Sequence, residues 1–127
     1  MGNLWEAQRH EDKYSTGIPD VSYATDHHGW IELKYVVVKD KDRVVKVPHF
    51  TAAQKAWAKR FGSRGGRVWV LIQVNRHYLL FSWVSVDRIG RMTLPEMIRE
   101  SWEWWEGAID PRALVGALGT HPGRRSG

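Results

Sequence analysis

Cysteine is absent from the 127 residues. Its absence removes disulfides, thiolate metal centres and a cysteine nucleophile, and it suits a reducing, cytoplasmic setting. No run of about 18 apolar residues occurs, so no helical membrane span is expected. The opening MGNLWEAQRHEDK is polar and carries Glu and Asp, unlike a secretory signal or a transit peptide. Internal repeats and Pro/Gly-rich linkers are also missing, and the length suits one compact domain. That domain is expected over residues 1–118, with residues 119–127, GTHPGRRSG, as a flexible tail.

What the chain does have is positive charge, unevenly spread. Lys and Arg number 19 against 14 Asp and Glu, a net of +5. Residues 1–90 hold 14 basic and 9 acidic side chains, and residues 91–127 hold five of each, so the whole excess lies in the first part. A polyanion is a natural partner for such a surface, although a merely soluble basic protein has the same net charge.

Periodicity and turn chemistry give a coarse order of elements. Residues 4–12 read as a short helix and 18–25 as a strand with Pro19 near its start, where a missing N–H is tolerated. A turn at 26–29 leads to a strand over 30–38, a charged turn at 39–43, and a short third strand over 44–47. Thr51-Ala52-Ala53-Gln54 is a capping-box pattern. It opens a helix to Phe61 with Phe50, Ala53, Trp57 and Phe61 as its apolar stripe and Lys55, Lys59 and Arg60 near the opposite side. VWVLIQV at 68–74 is almost wholly apolar, as a central strand covered on both faces should be. A strand over 78–86 follows. A second capping box at Thr93 opens a helix expected to carry Trp102, Trp104 and Trp105 into the core, with a partial interface role. The order is that of a single α/β domain, a central mixed β-sheet flanked by helices.

Charged residues sit inside the first hairpin, GIPDVSYATDHHGWIELKYVVV. Glu32 and Lys34 are two apart, so on a strand they share a face with Trp30, while Ile31, Leu33 and Tyr35 point away. For Asp20 to join them it must pair with an even-numbered position such as Lys34 or Val36, which requires an odd-length loop or a bulge. Two carboxylates converging at about 4 Å repel unless a cation intervenes. Oxygen ligands favour Mg²⁺, with Mn²⁺ as its substitute, and a neighbouring lysine can stabilise charge developing on a phosphate. Phosphodiester hydrolysis is the chemistry such a group would serve. The plainer alternative makes Glu32 and Lys34 the solvated face of an edge strand. His27 and His28 are adjacent, point apart and read as exposed loop rather than a zinc site.

The run Gly17-x-Pro19-Asp20, then Trp30-Ile31-Glu32-Leu33-Lys34, then Thr51-x-x-Gln54-x-x-Trp57 resembles the PD-(D/E)xK nuclease superfamily. It is most similar to small phage-type Holliday-junction resolvases and VRR-Nuc-like nucleases, over residues 9–74. The resemblance implies a restriction-endonuclease-like core and a Mg²⁺-dependent endonuclease. Asp20 and Glu32 would be metal ligands, the Leu33 carbonyl a third, and Glu11 a further ligand or supporting acid, with Glu6 as its competitor. Lys34 would be the catalytic lysine. Gln54 would position substrate or water, or serve only its cap.

Arg9, His10 and Lys13 flank this acidic group, and Lys55, Lys59, Arg60, Arg64 and Arg67 follow on the next helix and loop. Such a density of cations fits a DNA backbone, read by shape rather than sequence. A homodimer acting on branched DNA suits a two-fold junction. The enzymatic alternative is a general or nicking nuclease on duplex or single strands. The alternative of another class is a catalytically inactive nucleic-acid-binding module.

Overall fold

The computed structural model describes residues 6–9, 21–24 and 28–123. Its strands are β1 (Glu6–Arg9), β2 (Val21–Ala24), β3 (His28–Val36), β4 (Val68–Val74), β5 (His77–Ser82) and β6 (Glu103–Glu106), and its α-helices are α1 (Ala52–Ser63), α2 (Leu94–Glu100) and α3 (Pro111–Leu118). The described strands form one mixed six-stranded sheet in sequential order. All neighbours are antiparallel except β3 and β4, which are parallel and joined by a crossover through α1. The molecule is therefore an α/β domain with helices on a central mixed sheet, as expected.

β4 behaves as its composition demands. Its even positions, Val68, Val70, Ile72 and Val74, join Leu79 and Phe81 of β5 under α1, α2 and a 3₁₀ helix at Trp83–Arg88. Its odd positions, Trp69 and Leu71, join Ile31, Leu33 and Leu80 under α3, where Trp102 and Trp105 complete the layer. Parity switches at β5 because Ile72 stands opposite Leu79. Each apolar side chain buried here is worth about 1.5–3 kcal/mol relative to exposure, so both layers are needed to hold β4 at the centre.

Several expected elements differ. Residues 4–12 contain a strand rather than a helix: β1 pairs with β2 from Glu6↔Ala24 to Arg9↔Val21, and edge pairing overrides a modest helical propensity. Of the strand expected over 44–47, there is an isolated bridge, Val44 to Thr93. β5 stops at Ser82, whose hydroxyl accepts from the Val84 amide and caps the 3₁₀ helix. α2 ends at Glu100, so Trp104 and Trp105 lie on β6 and alternate across the sheet. Trp105 packs in the α3 layer, and Trp104 is exposed. α3 was not expected, although Asp110 and Pro111 are a usual helix-opening pair: the Asp110 carboxylate accepts from the Arg112 and Ala113 amides. Residues 119–123 of the expected tail are tied down, with Pro122 buried and its carbonyl accepting the Ser82 hydroxyl at 2.6 Å.

The β2–β3 hairpin meets the parity condition. Ser22 pairs with Trp30 and Ala24 with His28, even with even, across the odd-length connection 25–27. Asp20 itself lies outside the described residues. The expected partners Lys34 and Val36 do not continue this pairing, in which Val21 stands opposite Ile31.

Packing is close where α1 meets the 3₁₀ helix. A Cβ on Gly62 would overlap the Trp83 ring. Gly62→Ala should therefore destabilise the fold by about 1–3 kcal/mol, the usual effect of overpacking, despite alanine's better helix propensity. Urea unfolding checks this; a neutral or stabilising effect would mean the ring is free to withdraw.

Candidate active site

Glu32 and Lys34 project from β3 toward α1, as period-two spacing requires. β3 is flanked by β2 along its first half and by β4 from Trp30 to Val36. Glu32 is only 3 % exposed. The solvated edge-strand alternative therefore fails, because the carboxylate is buried and the Lys34 side chain is largely covered.

The charges are paired and further bonded. Lys34 Nζ lies 2.9 Å from Glu32 Oε1. It also donates to the His49 carbonyl at 2.8 Å and to Gln54 Oε1 at 3.3 Å. Three N–H groups thus meet three acceptors, which is all an ammonium can supply. Gln54 Nε2 in turn donates to Glu32 Oε1 at 3.3 Å. The Phe50 ring lies 5.5 Å from Lys34 Nζ and 5.3 Å from Lys55 Nζ, within cation–π range of both.

Local sequence explains why α1 arrives here. The Thr51 hydroxyl accepts from the Gln54 amide at 3.1 Å, and Gln54 Oε1 accepts from the Thr51 amide at 2.9 Å, closing the capping box. Bound on one side by the cap, the Gln54 amide is turned over β3 with its NH₂ toward Glu32 and its oxygen toward Lys34. Capping and contact with the site are two functions of one side chain.

Leu33 sits between the charged pair in β3 with its side chain packed in the α3 layer. Asp20, Glu11, His10 and Lys13 lie outside the described residues. Among the described residues no group of three or more His, Asp or Glu gathers, and Glu32 is the described member of the acidic set. An open cleft of about 360 Å³, lined by Leu33, Tyr35, Leu71 and Ile109 among others, belongs chiefly to the odd face, away from the carboxylate.

The expected DNA-contacting cations divide. Arg60 and Arg64 are exposed around the end of α1. Lys59 is held by Asp87 at 2.8 Å, and this bond keeps the Asp87 carboxyl below its ordinary pKa. Lys55 donates to the Ile89 carbonyl at 2.9 Å, and burial, then the charge of Arg91, lowers its pKa. Arg67 donates to the Thr120 carbonyl. Lys55 is partly buried, Lys59 keeps a solvent-exposed pair with Asp87, and Arg67 lies in the loop after α1. The buried residues of α1 are Ala58 and Gly62, while of the expected stripe Phe50 and Trp57 pack against the core and Ala53 and Phe61 are exposed. Arg9 is on β1. His49 and Arg91 were not singled out in the sequence: a backbone carbonyl leaves no residue-type signal, and Arg91 approaches Lys55 only through the fold.

No protein-family model matches the chain, and no curated protein matches it.

A buried pair is asymmetric in its energetics: losing one partner is far worse than losing both. Lys34→Met should cost about 3–5 kcal/mol, and Glu32→Leu combined with Lys34→Met should recover most of that loss. Equilibrium unfolding of both single variants and the double variant measures the coupling, and a double-variant loss equal to the sum of the two single losses would show that the pair contributes nothing as a pair.

Proposed function

We propose that the protein is a Mg²⁺-dependent endodeoxyribonuclease acting on branched DNA, a Holliday-junction resolvase with PD-(D/E)xK chemistry. One observation carries this reading: Glu32 and Lys34 from β3 and Gln54 from α1, twenty or more residues apart in sequence, share one buried hydrogen-bonded cluster. A resemblance resting on short motifs gains weight when its separate motifs meet in space. The even-with-even pairing of β2 with β3 also favours it, since Asp20 directly precedes β2.

The donor set is oxygen throughout, which fits a hard cation better than zinc. Asp20, Glu32, Glu11 and the Leu33 carbonyl would hold Mg²⁺ or Mn²⁺. When bound, the ion supplies charge neutralisation and activation of water for phosphodiester hydrolysis.

The chain's own residues do the rest. Lys34 presents a fixed positive charge in a largely water-excluded site, where it is worth more than in bulk water. A phosphate oxygen that reaches this ammonium must displace one of three acceptors. Gln54 Oε1, at 3.3 Å, makes the longest of those contacts and keeps the Thr51 amide as a second partner. Glu32 holds Lys34 in place while that exchange occurs. Arg60 and Arg64 would contact backbone phosphate, so binding should weaken with salt and carry little sequence preference. A homodimer would deliver two nicks to a two-fold junction.

A second reading is an inactive nucleic-acid-binding module, favoured by the full internal engagement of Lys34. Cleavage of a four-way junction, a linear duplex and a single strand in Mg²⁺ or Mn²⁺ separates the possibilities. Symmetric junction nicks lost in Asp20→Asn and Lys34→Ala, both assayed where circular dichroism shows them folded, are expected. Binding without cleavage in either metal selects the inactive module, and preferential cutting of duplex selects a general or nicking nuclease.

A further inference from the structure

Two non-glycine residues in the described structure have positive φ: Asn75 at 54° and His49 at 62°. Asn75 has an evident reason. It lies in the tight connection between β4 and β5, and its side chain bonds to both backbone groups of Val38, accepting at 2.9 Å and donating at 2.8 Å. His49 has no comparable one. Its imidazole is exposed and makes no hydrogen bond among the described residues. What its conformation does is aim its carbonyl at Lys34 Nζ, 2.8 Å away, the shortest contact that the ammonium makes.

We propose that His49 is a positioning residue whose left-handed backbone, rather than its side chain, anchors the Lys34 ammonium beside Glu32. Lysine is a point charge on a flexible four-carbon stem, so its direction is set by its acceptors. Glu32 is two residues away on the same strand, and its Oε1 also accepts from Gln54. Gln54 is shared with the cap. The His49 carbonyl belongs to the turn that enters α1 and holds the charge against the helix side of the site. Pro48 sets φ at the preceding corner, and the left-handed φ at His49 orients the peptide group that follows. Histidine and asparagine tolerate this region, glycine adopts it freely, and β-branched residues resist it. An extended or right-handed residue at 49 would turn the carbonyl away and leave Lys34 with one acceptor fewer.

The catalytic consequence rests on the proposed nuclease reading, whereas the anchoring does not, and the experiment keeps them apart. Full-length wild type, His49→Gly, His49→Asn and His49→Val are compared by two readouts. The first is the acylation rate of Lys34, followed by mass spectrometry with the exposed Lys39 as internal reference. The second is junction cleavage in Mg²⁺. Lys34 should stay protected in wild type, Gly and Asn and lose its protection in Val. Cleavage should stay within about threefold of wild type for Gly and Asn and fall roughly tenfold or more for Val, the scale of loss from a misplaced catalytic group. Rescue by Gly and Asn separates a backbone role from loss of the imidazole. If Val prevents folding, His49→Ala takes its place, with partial deprotection expected. Unchanged protection in Val, or equal loss in Gly, Asn and Val, overturns the proposal. If wild type cuts no DNA, the nuclease reading fails and the labelling still decides the anchor.

Discussion

The parallel pairing of β3 with β4 is the constraint on which the rest of the structure depends. Parallel strands cannot be joined by a tight turn, so the chain between them must cross one face of the sheet, and here it does so as α1. The crossover selects a face for every residue of β3. Even positions lie under α1 and odd positions under α3. The two charges of β3 are both even and both meet the helix entrance, where hydrogen-bonding groups are available.

Burial of those charges is tolerable only because the entrance of α1 is polar at the right place. A buried carboxylate and ammonium each lose several kcal/mol of hydration, and mutual attraction compensates only with good geometry and further hydrogen bonds. The Gln54 amide and the His49 carbonyl provide these. Both belong to the machinery that starts a helix: a capping box closed by Thr51 and Gln54, preceded by a left-handed corner. The same groups that satisfy a helix terminus thus orient an ion pair on the neighbouring strand. Rigid elements on both sides give the cluster the preorganisation that the proposed chemistry requires.

The cations of α1 show the same economy in a less expected form. Lys55 is partly buried and Lys59 pairs with Asp87 at the surface, where α1 packs through Ala58 and Gly62 close to the 3₁₀ helix. Small residues let the backbones approach, and the long lysine stems reach over to Ile89 and Asp87. Arg60 and Arg64 are left outward. Large apolar residues alone mark part of the contact face of this helix, Phe50 and Trp57, and miss Ala58 and Gly62, because tight packing uses glycine and alanine as readily as tryptophan.

Much of this was legible in the residues themselves. The period of two placed Glu32 and Lys34 together, the T-x-x-Q spacing marked the start of α1, and the unbroken apolar run of 68–74 marked a strand covered on both faces. These are local properties, and short-range sterics and hydrogen bonding determine them. The rest was decided by tertiary structure. Residues 6–9 became a strand because a neighbouring edge was there to pair with, Trp104 and Trp105 left the expected helix for β6, and the burial of Glu32 depended on α1 crossing its face of the sheet. The His49 carbonyl reaches Lys34 only once the crossover is closed. Such contacts join residues far apart in the chain through backbone groups that every amino acid carries, so residue types alone cannot signal them.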